Sequence, residues 1–331
     1  MAAFAGVSVA TVRRVLGDKP GIAPGTRAAV LTALDVFGLD RPAKFRTAGS
    51  RDGLVGLVVP DLQNPIFPAL VEAVSIGLVK QGLMTALCTR TADGVSEANY
   101  IELLLRRDVA GIVFIGGSYA DAGPEYGKEL RDREIPLVLI NAADENENVS
   151  RVSVDDDAAA EQALLHLASL GHERIGLVLG PEGHVPSARK LGAFVRHMRS
   201  SPEDQSWREL VAHVPFSMEG GGAAMTRLLG RGVTGVVCAS DALALGAIRT
   251  ARRRGLGVPE DVSVIGFDDS TYMSVVEAPL TTIRQPVRAL GAAAVKLLAA
   301  QIGGQSVLGE ELLLEPELIV RGSTGPCRPP A

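Results

Sequence analysis

Short apolar runs alternate with amphipathic stretches from residue 54 to the end of the chain. Runs of about five or six apolar residues, several of them β-branched, are typical of parallel strands that are covered on both faces. Such runs predict strands at 54–59, 84–89, 111–115, 137–141, 175–179, 235–239 and 262–267. Helices are predicted at 67–81, 96–107, 158–170, 188–198, 218–229 and 242–254, followed by a helix at 287–302 and a strand at 311–320. This alternation predicts an α/β fold of doubly wound parallel sheets.

The predicted strands are too many for one small sheet, so the pattern favours two lobes, with the polar stretch 141–154 as a crossing between them. Ligands of such sheets bind beyond the carboxyl ends of the strands. The polar side chains predicted there include Asp61, Asn64, Asn141, His184, Arg189, Lys190, Ser240, Asp241 and Asp268. Their groups suit a sugar or nucleoside-like ligand with vicinal hydroxyls. Taken singly, Asp61, Asn64 and Ser240 fit turn formers or helix caps equally well.

A short basic helix is predicted near the start of the chain. Ser8 suits its N-cap, and helical spacing then places three apolar residues on one face, namely Val12, Val15 and Leu16. The outer side keeps Val9, Ala10, Arg13 and Arg14. With the Gly6-Val7 turn before it, this is the outline of a helix-turn-helix, in which small leading residues approach base edges and cations meet phosphate. A capped amphipathic surface helix fits the pattern equally well.

A second helix, predicted at 27–37, is followed by a basic, glycine-containing linker at 39–53. Phe45 is the lone apolar side chain of a short basic segment at 41–46 within that linker. If the segment becomes helical on DNA, Phe45 would wedge at a base step. The other interpretation is a solvated tether.

Charge divides the chain unevenly. The whole chain carries a net charge of −5, but residues 1–51 hold eight lysines and arginines against three aspartates, for +5, which leaves −10 for the remainder. A basic head on an acidic body is expected when only one end contacts a polyanion.

No apolar run approaches the ~20 residues of a membrane span, and the start lacks the order of a secretory signal. Cys88, Cys238 and Cys327 lie far apart and are expected to be thiols, so we predict a cytoplasmic protein.

Several motifs, taken in order, resemble one family. The motifs of the head are GVSVATVRRVL at 6–16, Thr26-Arg27 with the helix that follows, and Arg41-Pro42. The motifs of the remainder are VVPDLQNPIF at 58–67, LGHERI at 170–175, VSVIGFDD at 262–269 and PLTTIRQP at 279–286. Their order and spacing, over nearly the whole chain, resemble the LacI/GalR family of transcriptional regulators.

The resemblance implies four segments: a helix-turn-helix head at 1–38, a hinge at 39–53, an effector-binding and dimerisation domain at 54–324, and a tail at 325–331. The effector domain of the family has the periplasmic-binding-protein type I fold. Its lobe 1 would cover about 54–152 and 286–304, and its lobe 2 about 153–285 and 305–324. The family implies a homodimer that reads a pseudo-palindromic operator.

The resemblance also implies contacts. Those with DNA are Ser8, Val9, Ala10, Thr11, Arg13, Arg14 and Phe45. Val9 and Ala10 would meet base edges in the major groove, and Arg14 would contact base or backbone. The contacts with a small-molecule effector are Asp61, Asn64, Phe67, Asn141, Arg189, Lys190, Ser240 and Asp268.

This sequence departs from the family pattern at two informative points. Only five residues precede the turn at Gly6, so most of the first helix of the head is missing, and we expect the apolar face of the next helix to lack a packing partner. The family's Arg-x-x-Gly-Phe motif appears as Lys190-Leu-Gly-Ala-Phe194. Either Lys190 or Arg189 takes the place of that Arg, and only Arg offers a planar bidentate fork.

The sequence therefore predicts a ligand-responsive transcriptional repressor that senses a small polar metabolite such as a sugar. The alternative is a protein of the same fold that has lost DNA binding or that acts as a free solute-binding protein. No enzyme is indicated, because no Gly-x-Gly-x-x-Gly loop follows a strand and the histidines lack metal-ligand spacing. The acidic run 155–157 begins a helix, where acids interact favourably with the helix dipole, so we expect no metal there. We also expect no cofactor and no membrane partner.

Overall fold

The computed structural model describes residues 1–17, 19, 21–36, 52–90, 96–117, 119, 124–142, 149–199, 204–305, 309 and 311–328. The chain divides into two compact units, Met1–Asp52 and Gly53–Ala331. No helix in the described ranges is both long enough and apolar enough to cross a membrane.

The first unit contains α1 (Val9–Leu16) and α2 (Pro24–Val36). Ser8 caps α1 as predicted, because its hydroxyl accepts a hydrogen bond from the Thr11 amide at 3.1 Å. The expectation that the apolar face of α1 lacks a partner is wrong. Val12 and Val15 are buried together with Val30 of α2. Further apolar side chains pack on this cluster, namely Met1, Ala2, Ala5, Val7, Leu16 and Ile22, so the turns at residues 1–7 contribute to the packing of α1.

The second unit contains two six-stranded sheets. The strands in chain order are β1 (Asp52–Val59), β2 (Met84–Thr89), β3 (Val109–Ile115), β4 (Leu137–Ile140), β5 (Ser150–Val154), β6 (Ile175–Leu179), β7 (Val211–His213), β8 (Gly235–Cys238), β9 (Ser263–Asp268), β10 (Thr281–Arg284), β11 (Glu311–Leu314) and β12 (Glu317–Ile319). The first sheet has the order β11-β5-β4-β3-β1-β2, and the second has the order β12-β10-β9-β8-β6-β7. The pairing of β10 with β12 is antiparallel, whereas the paired registers of β1–β2 and β3–β4 are parallel.

Helices cover the sheets and define two lobes. Lobe 1 holds the first sheet with α3 (Ile66–Lys80), α4 (Glu97–Arg106), α5 (Pro124–Asp132) and α10 (Val287–Ile302). Lobe 2 holds the second sheet with α6 (Asp156–Ser169), α7 (Val185–Met198), α8 (Met218–Leu229) and α9 (Asp241–Arg253), and with the 3-10 helix Ser206–Leu210 before β7. The predicted two-lobed α/β class is confirmed. β3, β4, β6 and β8 are buried along their whole length, as parallel strands between two helical layers must be.

Two predicted connections between the lobes are wrong. The stretch 141–154 contains β5, which lies in the first sheet, so the chain crosses to lobe 2 only after Val154. The predicted strand at 311–320 is two strands, with β11 in the first sheet and β12 in the second. The segment 305–324, expected in lobe 2, is therefore shared by both lobes. Local hydropathy does not reveal to which sheet a strand belongs, because sheet membership depends on distant partners.

A close helix contact in lobe 2 gives a stability prediction. Gly246 of α9 faces α8 so closely that an added methyl group would overlap the Met218 carbonyl oxygen. Gly246→Ala is expected to lower the free energy of unfolding by roughly 2 to 3 kcal/mol, because a backbone atom cannot move aside. Gly192→Ala is the matched control: its methyl group would meet the ends of the Arg196 and Asp157 side chains at ordinary contact distances of 3.5 and 4.0 Å, so a gain of roughly 0.5 kcal/mol is expected. Urea unfolding measures both, and equal effects would contradict this packing.

Candidate functional site

Two side-chain amides join the lobes where β4 and β10 end. Asn141 follows β4 in the left-handed region, at φ 52°, which asparagine tolerates. Its Nδ2 donates to Gln285 Oε1 at 2.9 Å. Gln285 follows β10 and donates through Nε2 to Asp268 Oδ1 at 2.6 Å. A chain of hydrogen bonds thus runs from lobe 1 to a carboxylate of lobe 2. Sequence reasoning missed Gln285, although its place before Pro286 at a lobe crossing was a usable signal.

Asp268 is a buried acid at this point, and its pKa is raised. It is 5% exposed, and its Oδ2 has no hydrogen-bond partner among the described residues. Burial, reinforced by the nearby Asp241 carboxylate, raises the pKa of Asp268 well above its ordinary value, while Gln285, Lys190 and the Asn64 amide oppose the rise. Because Asn64 belongs to lobe 1, both lobes act on this carboxyl. An ionisable group with a strongly shifted pKa and an unfilled acceptor is a candidate ligand contact.

Asp241 and Ser240 have structural duties beside Asp268. Burial raises the pKa of Asp241 to about 6. Its carboxylate accepts hydrogen bonds from the Thr282 hydroxyl at 2.6 Å and from the Ser270 amide at 2.7 Å, which ties β10 and the loop after β9 to the start of α9. Ser240 is 1% exposed and caps α9 by accepting from the Leu243 amide at 3.2 Å. In this structure, the hydrogen bond of Ser240 is therefore that of a helix N-cap, which was one of the two interpretations of this residue.

The predicted residues after β1 lie partly buried in lobe 1. Asp61 forms a turn, since its Oδ1 accepts from the Gln63 and Asn64 amides at 2.8 and 3.0 Å. The side-chain oxygen of Asn64 accepts from the Ile66 amide at 3.3 Å. The Phe67 ring lies beside Gly116, where a methyl group would come within 3.4 Å of it. This turn brings Asn64 and Phe67 to the carboxyl edge of the first sheet and leaves Asp61 as the turn former.

The structure separates the roles of the two adjacent cations of α7. Lys190 is buried, forms an ion pair with Asp156 and lies 3.7 Å from the centre of the Phe267 ring. Arg189 turns instead to Glu311 Oε1 of lobe 1 at 2.6 Å. Consecutive residues of a helix point about 100° apart. For this reason Lys190 reaches the surroundings of Asp268, whereas Arg189 reaches Glu311, the first residue of β11. Lys190 is therefore the better candidate for the place of the family's Arg.

An aromatic pair lies in the same part of lobe 2, and its Phe216 was not predicted. The rings of His184 and Phe216 meet edge to face with centres 5.0 Å apart. His184 Nδ1 and Ser187 Oγ lie 3.0 Å apart. Burial and the nearby Lys190 lower the pKa of His184 to about 4, so the imidazole is neutral at physiological pH. Phe216 follows the short strand β7, which hydropathy alone does not reveal, and aromatic faces are common in ligand pockets.

The shifted pKa of His184 predicts a pH-dependent loss of stability. An unfolded histidine titrates near pKa ~6.5, and the folded value is about 4, so the folded state binds fewer protons as the pH falls. Between about pH 7 and about pH 5 this group is expected to cost roughly 1 to 2 kcal/mol of unfolding free energy. His184→Asn should remove that loss. Buried carboxyls such as Asp268 shift stability in the opposite direction, but they are common to both proteins, so the difference between the two urea titrations isolates His184.

His197→Asn is the control for this titration. It makes the same replacement in the last turn of α7, where His197 is exposed. Parallel pH profiles for the wild type and His184→Asn would contradict the buried position of His184.

The predicted DNA-contacting face of α1 is open to solvent. Val9 is 61% exposed although apolar, and Ala10, Arg13 and Arg14 are exposed beside it. The hydroxyls of Ser8 and Thr11 are hydrogen-bonded to each other at 2.9 Å. Phe45 lies outside the described residues. An exposed helix start with small residues, followed by cations, is the arrangement that recognition helices present to a major groove.

These features define a class of protein: a two-lobed α/β ligand-binding unit of the periplasmic-binding type, preceded by a small helical unit with an exposed basic helix. Residues 164–324 match the periplasmic binding protein-like domain. The chain is 48% identical over 329 residues to the HTH-type transcriptional regulator MalR of Streptomyces coelicolor, covering 98% of this chain and 95% of that protein. It is 32% identical to the HTH-type transcriptional repressor CytR of Escherichia coli, covering 96% and 93%. The chain therefore belongs to the LacI/GalR family of transcriptional regulators.

Solved structures agree with this assignment. The transcriptional regulator CelR in complex with cellobiose has a TM-score of 0.74 and 30% identity, covering 97% of this chain and 98% of that chain. A LacI family regulator from Enterococcus faecium with bound ribose has a TM-score of 0.72 and 30% identity, covering 83% and 100%. Within the described residues, no group of three or more potential metal-ligating side chains occurs.

Proposed function

We propose that this protein is a cytoplasmic repressor that binds operator DNA through α1. Its affinity for the operator falls or rises when a sugar occupies the cleft between the lobes. The observation that carries the proposal is the convergence on Asp268 of groups from both lobes: Gln285 bonded to its Oδ1, and Asn64 and Lys190 close enough to shift its pKa. Similar regulators are described with cellobiose and with ribose bound. Repression by ligand-controlled binding requires no catalytic step.

The cleft supports a two-state mechanism. Contacts that cross it in this structure include Asn141–Gln285 and Arg189–Glu311, so the relative position of the lobes depends on polar groups that a ligand competes for or bridges. A ligand that binds one lobe arrangement more tightly shifts the population toward that arrangement. The coupling free energy of such switches is typically about 1 to 3 kcal/mol.

The dimer carries this change to the DNA. Lobe 1 exposes apolar side chains on α3 and on the sheet-edge strand β2, namely Ile76, Val79, Met84 and Leu87. Exposed apolar patches of this kind mark protein interfaces, and we place the homodimer contact there. A change of lobe angle at this contact alters the spacing of the two heads, and half-site spacing is a geometric requirement of operator binding.

In each head, α1 would lie in the major groove. Val9 and Ala10 would contact base edges, Ser8 and Thr11 the phosphates, and Arg14 base or backbone. Arg13 would add a cation near phosphate. Phe45 is the candidate for the minor groove.

The test is operator binding with and without sugar. Labelled DNA fragments from around the gene are titrated with the full chain at low ionic strength, and fluorescence anisotropy is followed while ribose, cellobiose and other neutral sugars are added. A specific fragment should bind, and at least one sugar should change its affinity about tenfold. Failure of every fragment, or indifference of the bound complex to every sugar, would overturn the proposal.

A further inference from the structure

A buried ion pair beside the effector carboxylate has a feature that the proposed function does not use. Lys190 and Asp156 are each 3% exposed, and Nζ of Lys190 bonds Oδ1 of Asp156. Asp156 is the first residue of α6, where Asp155 already caps the helix by accepting from the Ala158 amide at 2.9 Å. Asp156 is therefore not needed as the cap, and its carboxylate is free to serve Lys190.

The pair cancels the charge that the site would otherwise show to a ligand. Lys190 also lies over the Phe267 ring and is close enough to Asp268 and His184 to affect the pKa of both. In a desolvated cleft an unpaired cation strongly attracts anions. With Asp156 beside it, Lys190 contributes no net positive charge, and Asp268 adds only negative charge when it is ionised.

The hydrogen-bonding capacity that Asp156 and Asp268 leave unfilled is for accepting a hydrogen bond. Asp156 Oδ2 and Asp268 Oδ2 are both buried and have no hydrogen-bond partner among the described residues. Both atoms are acceptors when the carboxyls are ionised, and a buried acceptor without a donor is costly. A sugar hydroxyl supplies a donor to such an oxygen, whereas a phosphate or carboxylate brings further acceptors and a repelling charge.

We propose that Asp156 is a specificity residue of the effector site, which holds Lys190 in a neutral pair and offers its second oxygen to a ligand hydroxyl, so that uncharged sugars bind and phosphorylated or carboxylated sugars are excluded. This inference rests on the proposed function, since it presumes that the cleft binds a sugar. It adds the class of sugar and the residue that sets the class.

The experiment compares matched neutral and anionic probes by calorimetry on the full chain. The pairs are ribose with ribose 5-phosphate, cellobiose with cellobionate, and the α-linked isomer maltose with maltobionate. The wild type should bind at least one neutral probe, and its anionic counterpart about tenfold more weakly or worse. Asp156→Asn leaves the Lys190 charge unopposed and should shift this ratio by about tenfold in favour of the anion.

Two further variants separate charge from general damage. Asp157→Asn makes the same change one residue along α6, where Asp157 pairs with Arg196 at the exposed surface, and it should keep the wild-type ratio. Lys190→Gln leaves Asp156 unopposed and should widen the discrimination against anions, which keeps the idea testable if Asp156→Asn does not fold.

The outcomes distinguish a failure of the proposed function from a failure of the specificity role of Asp156. If no neutral probe binds to any form, the proposed function itself fails. If neutral probes bind but the wild type takes their anionic counterparts equally well, or if Asp156→Asn and Asp157→Asn give the same ratio, the specificity role of Asp156 is overturned while the proposed function stands.

Discussion

Asp268→Asn is expected to weaken sugar binding roughly 100-fold while leaving operator affinity at the wild-type level. A hydrogen bond to an ionised group contributes about 1.5 to 3 kcal/mol, and Asp268 Oδ2 is a buried oxygen without a hydrogen-bond partner in the described part of the chain. Asparagine retains the shape of the Asp268 side chain, which the native backbone already carries at a φ of 123°. Calorimetry with a neutral sugar that binds the wild type measures the loss, and anisotropy measures operator binding.

Stability supplies the internal control for this variant. Burial raises the pKa of Asp268, which means that the folded protein pays to keep this carboxyl ionised. Removal of the charge should leave the melting temperature unchanged or raise it, although sugar binding is lost. Asp157→Asn, whose side chain pairs with Arg196 on the solvent side of α6, should alter neither property. Sugar affinity within twofold of wild type in Asp268→Asn would show that the ligand does not use this carboxylate.

Arg14→Ala is expected to weaken operator binding roughly tenfold near ~0.1 M salt and to lower the salt slope by about one. The reason is position: Arg14 is exposed on the outer side of α1, and loss of one phosphate contact removes one released counterion. If Arg14 contacts a base instead, affinity should fall for the specific fragment and the slope should stay constant. Anisotropy at several salt concentrations separates the two results.

Arg106→Ala is the matched control for this loss of charge. Arg106 is exposed at the end of α4 in lobe 1 and pairs with Glu102, so its removal should leave the operator affinity and the salt slope unchanged. Equal effects of the two variants would show that the helix α1 makes no special contact with DNA and that only the total charge matters.

Local pattern was sufficient for most of the framework. Apolar runs located strands such as β3 and β6, and the Ser8 cap with Val12 and Val15 located α1, because burial between helical layers and the helical period act on neighbouring residues. The same reasoning brought Asp268 and Asn141 to the carboxyl ends of their strands, since the chemistry of a doubly wound sheet concentrates there.

Tertiary structure decided what local pattern left open. Whether Lys190 or Arg189 enters the site depended on Asp156 and Glu311, which lie 34 and 122 residues away. Gln285 gained its role only by meeting Asn141 across 144 residues. Strands β11 and β12, adjacent in sequence, separated into different sheets. Periodicity records which side of an element is buried, whereas these outcomes depend on which distant side chain fills the space opposite, and that is determined only when the lobes pack.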